Sequence, residues 1–510
     1  MRIETLPSVL SGKYQRQLLH DQFLLAKRPD IIPETWRQDS VSGWTLGTHP
    51  SLPVSPIKGP EGVTQGWVIG YAIDPSRRVV DGAGVAFPTL TDSALASVHE
   101  RLAGFGGRYV IVLLDGAFQR VYLDPCGSLG TVYCSIEEVV ASTSCLIPYS
   151  NATADNILLQ KALRMPHNFS NGYPVGLTPR HQVRRLLPNH YLDLGSWEAE
   201  RFWPKGEFEE VDVEAAVGEI ADIVMGQTSA ILSHDRVQMA LTAGQDSRVL
   251  LACARKYIQE IEFFTYAVPD VTGRVDVRIA SRIAERLGLK HRILGHIDAS
   301  VVDLEVWLYK TGCEVSGLRG WKEIRTIGQL RPDRLEIHSV GGELARDFWW
   351  RKEDSPFSPI TLGRLAQQCG ALLIPEVRSS LQAWLDSLPP IRNFFTILHL
   401  FYIEQRLGCW GGVHPYGEAG CTIFKVYPFS HRRIFELMLS LPVSYKRERR
   451  FWKDIAEREW SDLLTVPVNP RTRLELWEDR TRAGVTRAVS ALKNPRPTIG
   501  RIAQRYLGVR

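Results

Sequence analysis

The chain has 510 residues, which is too long for a single hydrophobic core, so we expect two or three domains. Its composition of 44% hydrophobic and 23% charged residues is that of a soluble globular protein, and its net charge of +5 argues against a dedicated nucleic-acid binder. There is no N-terminal signal pattern and no run of about 18 apolar residues, so we expect a cytoplasmic protein without a membrane span.

The cysteines are scattered, with no C-x-x-C pair and no metal-like spacing to histidine. This pattern indicates reduced thiols, mostly buried, rather than disulfides or a metal cluster. The cysteines are Cys126, Cys134, Cys145, Cys253, Cys313, Cys369, Cys409 and Cys421.

The part of the chain before residue 200 contains mostly short strands separated by turns. Gly106–Asp115 is an apolar run that ends at an Asp-Gly turn, and Phe118–Asp124 is its predicted hairpin partner. A loop over 125–130 leads into another strand that starts at Thr131. The Pro-Lys-Gly break within residues 200–215 predicts a short connection between two domains.

A helix is predicted over Val213–Leu232, and it is followed by a strand, a tight turn and a second helix within residues 237–254. In that second region an apolar run meets a loop of small residues, then Asp246 and Ser247, then helix formers from Arg248 onward. The order directs main-chain N–H groups and the positive end of a helix dipole to one point. We therefore expect an anion such as pyrophosphate to bind there.

Each residue type in this loop has a physical role. Gly244 allows a phosphate to approach closely, and the hydroxyls of Thr242 and Ser247 can donate hydrogen bonds to it. Asp246 would repel an anion unless a cation lay between them, and Mg²⁺ held by carboxylates and phosphates is the usual solution. The loop lacks the lysine and spacing of a Walker motif. The alternative is an ordinary turn in which Asp246 or Ser247 caps the helix.

Strands and helices alternate after this loop. Strands are predicted over Ile261–Val268 and His291–Leu294, with a helix over Asp276–Leu287 between them. This alternation predicts a doubly wound parallel sheet that binds its ligand at the carboxyl ends of the strands.

A second acidic residue follows two glycines in Ser339–Leu344. A metal–pyrophosphate site needs a second anionic ligand, so Glu343 is the candidate partner of Asp246, bound to the metal directly or through water. A plain helix entry is the alternative explanation. Trp349 and Trp350 are expected to form core or pocket wall.

From about residue 365 onward the pattern is mainly helical. Lys446, Arg450 and Lys453 follow the segment Val426–His431 and could stabilise negative charge on a reaction intermediate, as could Arg248. A cationic surface helix is the competing interpretation.

The last segment, Arg480–Arg510, carries eight Lys or Arg residues and no acid. It suggests an anionic partner such as a leader peptide, tRNA or a membrane surface, or else a solvated helix with a loose tail, which we favour.

Three of these segments, in order, resemble the asparagine synthetase family of N-type ATP pyrophosphatases. Thr242–Ser247 resembles its S-G-G-x-D-S pyrophosphate loop, with Thr and Ala in place of the first Ser and Gly. Ser339–Leu344 resembles G-x-G-G-D-E-L with one acidic residue missing. Glu343 either replaces the Asp of that motif, which binds the metal, or holds the place of its Glu, in which case the second ligand is lost. Val426–His431 resembles R-x-P-F-L-D with three positions changed, so the motif does not define the residues of the substrate pocket.

The N-terminal part resembles the glutaminase-type domain of the same family. The segment from Asp124 to Tyr133 resembles D-P-x-G-x-x-P-L-Y-Y, and Leu186–Leu192 resembles L-x-P-G-H-x-L. The resemblance implies an αββα sandwich over 1–205 and a doubly wound ATP pyrophosphatase domain with a helical extension over 213–510. The family's glutaminase uses a cysteine directly after the initiator Met. Here that position is Arg2, so we expect a degenerate domain without glutamine hydrolysis.

The resemblance also implies ATP and Mg²⁺ as ligands. The residues it points to for ATP are Thr242, Ala243, Gly244, Gln245, Asp246, Ser247, Arg248, Gly341 and Gly342, with the main chain of Tyr266, Ala267 and Val268 near adenine. Asp246 and Glu343 would hold the metal. Together with Lys446, Arg450 or Lys453 they are the catalytic candidates.

The expected reaction is ATP-dependent amide-bond formation through an acyl-AMP, with release of pyrophosphate. The carboxylate would belong to a small molecule or a peptide, and the partner could be a precursor peptide or another enzyme. Within this class, a lasso-peptide or β-lactam type cyclase that uses an internal amine is the alternative to a ligase that uses ammonia, as in asparagine biosynthesis. A catalytically silent nucleotide-binding scaffold is the alternative from another class.

Overall fold

Two antiparallel sheets account for the strands of the first part of the chain. The computed structural model describes residues 19–59, 62–77, 79–80, 87, 90–163, 172–315 and 320–478. The strands of these two sheets are β1 (Phe23–Ala26), β2 (Arg37–Val41), β3 (Trp44–Thr48), β4 (Val54–Lys58), β5 (Thr64–Asp74), β6 (Val79–Val80), β7 (Gly106–Asp115), β8 (Phe118–Leu123), β9 (Val132–Cys134), β10 (Val139–Ala141), β11 (Arg184–Arg185), β12 (His190–Asp193) and β13 (Ala199–Arg201).

One sheet has the strand order β11-β9-β10-β1-β3-β2, and the other has the order β13-β12-β8-β7-β5-β4 with β6 on β5. Asp115 pairs with Phe118, so the predicted hairpin of β7 and β8 is confirmed. Trp44 Nε1 donates to Gln119 Oε1 at 3.0 Å and links the sheets. Helices α1 (Leu95–Ala103) and α2 (Ile157–Ala162) accompany them.

The helix predicted next along the chain is α3 (Val213–His234), which begins because Asp212 caps it by accepting from Ala215 N at 2.8 Å. Among the described residues it is the one helix long and apolar enough to cross a membrane by length and composition, yet 61% of its most apolar window is buried inside the protein. Ile220, Val224 and Ile231 of this helix belong to the main core.

A parallel sheet follows, made of β14 (Val237–Ala240), β15 (Ile261–Ala267), β16 (His291–Gly295), β17 (Leu335–Ile337) and β18 (Lys425–Val426). Its strand order is β16-β15-β14-β17-β18, and every neighbouring pair is parallel. The order runs outward in both directions from the boundary between β14 and β17. At such a switch point the two strand ends leave a crevice for a ligand.

The helices between these strands are α4 (Gln245–Cys253), α5 (Val271–Leu287), α6 (Val301–Lys310) and α7 (Ile324–Ile327). The prediction placed the start of α5 at Asp276, whereas it starts at Val271. The reason is the side chain of Asp270, which accepts from Gly273 N at 2.8 Å and caps the helix earlier. The described chain is therefore a mixed α/β protein with two antiparallel sheets, one parallel sheet and helices.

The predominance of helix after residue 365 is confirmed. The helices are α8 (Leu362–Cys369), α9 (Pro375–Asp386), α10 (Phe394–Phe401), which continues as a π-helix over Tyr402–Gly411, α11 (His414–Glu418), α12 (Arg432–Ser440), α13 (Val443–Glu448) and α14 (Phe451–Glu459). Helix α14 packs against α4. The basic segment 480–510 and Arg2 lie outside the described residues.

The antiparallel sheets and the helical part meet at two of the segments that the sequence analysis singled out. Ser430, which follows β18, donates its hydroxyl to Asp124 Oδ1 at 2.7 Å. The carbonyl of Ser430 accepts from Gly107 N at 3.1 Å, and its Oγ accepts from Cys126 N at 3.2 Å. The segment Val426–His431 therefore forms part of the joint between the two parts of the chain.

Candidate active site

The loop between β14 and α4 lies at the switch point of the parallel sheet. Helix α4 starts at Gln245, three residues earlier than predicted, so Asp246 and Ser247 lie in its first turn. The residue that caps the helix is Gly244, and no side chain caps it. The alternative in which Asp246 or Ser247 serves as the N-cap is therefore wrong.

Hydrogen bonds within the loop fix its shape. Thr242 Oγ1 lies 2.9 Å from Ser247 Oγ, and it also accepts from Gly244 N at 3.1 Å. Ala243 N donates to Asp276 Oδ1 at 2.8 Å, which ties the loop to α5. One hydroxyl hydrogen is used between Thr242 and Ser247, so the other remains to donate to a ligand.

These hydrogen bonds limit which N–H groups of the loop can donate to a bound anion. The N–H groups of Ala243 and Gly244 already have acceptors in the protein. The first N–H groups of α4, beginning at Gln245, have no partner within the helix. Gly244 has φ −74°, an angle that any residue can adopt, so its backbone conformation does not require glycine. A Cβ at this position would lie 3.2 Å from Thr242 Oγ1, which is a crowded contact.

The second predicted segment follows β17, the other strand at the switch point. Gly341 has φ +105° and reverses the chain into a short 3₁₀ turn, Gly342–Ala345. Glu343 folds back so that its Oε2 accepts from Gly341 N at 2.9 Å. Asp246 and Glu343, the carboxylate pair, thus follow β14 and β17, the two strands on either side of the switch point.

A cation that the sequence analysis did not select completes this arrangement. Arg346 Nη2 lies 2.9 Å from Asp246 Oδ2, and the two side chains are 19% and 30% exposed. Burial raises the pKa of Asp246, and the positive charge of Arg346 opposes this rise. Burial and the charge of Asp246 raise the pKa of Glu343, and Arg346 again opposes the rise. The signal that could have found Arg346 is the need of two converging carboxylates for a counter-ion.

The carboxylate pair offers the hard oxygen donors that Mg²⁺ prefers. Among the described residues, no group of three or more His, Cys, Asp or Glu side chains could hold a metal ion. Two carboxylates nevertheless fit a magnesium ion that completes its coordination with phosphates and water. The protein residues present are therefore suited to a metal that binds together with a phosphorylated ligand.

Arg248 is directed into the protein. Its side chain is fully buried, and it donates to the carbonyls of Val466 and Pro467 and to that of Ala243, the last at 3.3 Å. Burial lowers the pKa of Arg248 to about 10. This placement corrects the expectation of a phosphate clamp, because the guanidinium instead fastens the loop to the segment after α14.

The structure does not bring the three basic candidates to the carboxylate pair. Lys446 is buried and donates from Nζ to Leu439 O at 2.8 Å. Burial lowers the pKa of Lys446 to about 7. Arg450 is 53% exposed and faces Asp454 at 3.6 Å. Lys453 is exposed on α14.

The remaining predicted residues lie at the end of β15 and after the 3₁₀ turn Gly342–Ala345. Tyr266, Ala267 and Val268 are half-buried at the carboxyl end of β15, the strand beside β14. Trp349 has φ +66° and lies against Tyr402, with ring centroids 5.1 Å apart. Trp350 stacks on Phe395 with ring centroids 4.0 Å apart, and both tryptophans pack against the main core, which is one of the two placements expected for them.

The cysteines all lie in the described part of the chain. All eight are unpaired; six are buried, and Cys145 and Cys421 are partly buried, which confirms that most are buried thiols. Burial raises the pKa of the Cys126 thiol well above its usual range.

A comparison of the chain with models of known protein families finds no match, and a comparison with curated proteins finds no similar sequence.

Proposed function

We propose that the protein is an ATP-dependent ligase of the asparagine synthetase-like class, which activates a carboxylate as acyl-AMP and then forms an amide. The observation that carries this proposal is the meeting of the carboxylate pair with the first turn of α4 at the switch point of the parallel sheet. A helix N-terminus suits pyrophosphate, and the adjacent carboxylates suit the metal that accompanies it.

The roles of the residues follow from their positions. The N–H groups that begin α4, from Gln245 onward, and the spare hydroxyl of Thr242 or Ser247 bind the β- and γ-phosphates. Asp246 and Glu343 would hold Mg²⁺, which would neutralise phosphate charge and favour pyrophosphate as the leaving group. The substrate carboxylate attacks the α-phosphorus and pyrophosphate departs. An amine then attacks the acyl carbon, and AMP departs.

The division into domains rests on the resemblance of the sequence segments to the two domains of the asparagine synthetase family. We propose that residues 1–205 form a degenerate glutaminase-like domain and that residues 213–510 form the ATP pyrophosphatase domain. With Arg2 in place of a cysteine nucleophile, the amine is free ammonia or belongs to the substrate itself. A cyclase of the lasso-peptide or β-lactam type is the form of the reaction that uses an internal amine.

One observation favours the silent scaffold as a second candidate. Asp246 is already paired with Arg346, and the buried Lys446 donates to the carbonyl of Leu439. A scaffold of this kind binds ATP without producing AMP, so the two candidates differ in a measurable product.

ATP–pyrophosphate exchange with a panel of carboxylic acids tests the proposal. Exchange that requires both an acid and Mg²⁺, and that falls at least 100-fold in D246N, is the expected result. D222N is the matched control, because Asp222 is an exposed aspartate on α3, and it should behave as wild type. Exchange unchanged in D246N would remove the metal assignment, and ATP binding without AMP formation under all conditions would favour the scaffold.

A further inference from the structure

A cation already occupies the neighbourhood in which the metal is expected. Arg346 Nη2 is 2.9 Å from Asp246 Oδ2, and its positive charge also acts on Glu343. A divalent ion that approaches the carboxylate pair would therefore meet a guanidinium as well as two carboxylates. The positive charge of the guanidinium repels the metal ion, and Asp246 would have to release Arg346 before it could bind the metal. The ion pair between Arg346 and Asp246 therefore opposes the binding of a metal ion without nucleotide.

The main chain of Arg346 is fixed, while its guanidinium has donors to spare. Its N–H donates to Glu343 O at 3.2 Å, and its carbonyl accepts from His399 Nε2 at 3.1 Å. Nε of Arg346 is buried and has no hydrogen-bond partner among the described residues. A guanidinium presents five donors, so this side chain can change its acceptor without a movement of the backbone.

We propose that Arg346 excludes a free divalent cation from the carboxylate pair and gives the pair up only to a metal that arrives with a polyphosphate. The phosphate oxygens then replace Asp246 as acceptors for the guanidinium, in the bidentate manner that Arg favours. Metal and nucleotide consequently strengthen each other's binding, as linkage requires. This inference rests on the proposed function, because it takes the pair to be the site of the metal–nucleotide complex.

Binding of Mn²⁺, followed by its electron paramagnetic resonance signal in the absence of nucleotide, tests the proposal. We expect R346Q to bind Mn²⁺ at least tenfold more tightly than wild type, because the carboxylate pair loses its resident cation. R346K should stay close to wild type, because it keeps the charge. The double variant D246N/R346Q should lose this increase in Mn²⁺ affinity. That result would assign the increase to the carboxylate pair rather than to other acidic residues.

Arg449 provides a matched control next to the site. Its Nε lies 2.7 Å from Asp347 Oδ1, so R449Q removes an arginine–aspartate pair one residue away from Arg346. R449Q should bind free Mn²⁺ as wild type does. A gain in R449Q equal to that in R346Q would mean that net charge alone is responsible, and it would overturn the proposal.

Two further measurements keep the outcomes distinct. Unchanged or weaker affinity of R346Q for free Mn²⁺ overturns the role of Arg346. If R346Q does not fold, the wild type decides: a non-hydrolysable ATP analogue should tighten Mn²⁺ binding at least tenfold, and equal affinity with and without the analogue overturns the inference. If the analogue does not bind wild type at all, the proposed function fails, while the comparison of R346Q with wild type still tests exclusion of the metal.

Discussion

The hydroxyl of Ser430 donates to Oδ1 of Asp124 at 2.7 Å, across 306 residues of sequence. Asp124 is fully buried at the turn after β8, and burial raises the pKa of its carboxyl while Ser430 opposes the rise. The same serine accepts from Cys126 N. A single side chain after the parallel sheet thus completes the hydrogen bonding of a turn in the antiparallel part.

Removing either partner of this bond should weaken the joint. We expect S430A to lower the free energy of unfolding by about 1–3 kcal/mol, because the buried Asp124 carboxylate loses one of its donors. D124N should also destabilise, and urea unfolding in a double-mutant cycle should give a coupling of about 0.5–3 kcal/mol. S444A, at an exposed serine of α13, is the control. Additive effects of the two substitutions would contradict a direct role for the bond.

Arg248 should behave as a residue that holds the fold together. R248M leaves the buried carbonyl of Val466 without its donor, at about 1–3 kcal/mol, and removes a donor from the carbonyl of Pro467, so its melting temperature should fall clearly below that of wild type. R282M, at an exposed arginine of α5, should melt as wild type does. If R248M instead melted at the wild-type temperature but was no longer stabilised by added pyrophosphate, Arg248 would be a phosphate contact.

Lys446 should make stability depend on pH in the alkaline range. Burial lowers its pKa in the folded protein to about 7, against an ordinary value of 10.5. Between these values the unfolded chain holds the proton and the folded protein does not, so raising the pH across this window favours the folded state. Urea midpoints should therefore rise from pH 7 to pH 9.5 more in wild type than in K446M.

The exposed Lys453 gives the control for this measurement, because K453M keeps Lys446 buried and should follow wild type. A difference between wild type and K446M that stays constant across the window would show that Lys446 keeps its ordinary pKa.

Gly341 should resist substitution by alanine. Its φ of +105° disfavours any L side chain, and an added Cβ would lie 3.0 Å from Phe429 Cβ. We expect G341A to lose about 1–3 kcal/mol of stability and to weaken ATP binding, because Glu343 depends on the Gly341 N–H. G363A is the matched control: Gly363 is helical with open space around it, so alanine there should be neutral or stabilising by up to about 1 kcal/mol. Equal effects of both substitutions would contradict this.

Local patterns were sufficient for the elements whose hydrogen bonds are local. The hairpin of β7 and β8 follows from an Asp-Gly turn between apolar runs, and the parallel strands follow from their alternation with helices. The start of α5 was placed too late, because the capping aspartate at position 270 precedes the apolar pattern. The start of α4 was also placed too late, since Gly244 takes the capping position without a side-chain bond.

The candidate site was harder to predict, because its partners come from distant segments. Asp246 and Glu343 could be selected from their short motifs, whereas the contact of Arg346 with Asp246 depends on the chain reversal at Gly341. The burial of Arg248 depends on the segment after α14, and no spacing within the sequence indicates it. Side-chain pairs of this kind are set by tertiary packing rather than by local propensity.

The bond between Ser430 and Asp124 also bears on how the chain is made. Synthesis on the ribosome begins at the N-terminus, and domains generally fold in that order. Asp124 is therefore added to the growing chain 306 residues before its donor. Until Ser430 emerges, the turn at Asp124 lacks the hydroxyl that completes it, and a translation product that stops before residue 430 never receives it.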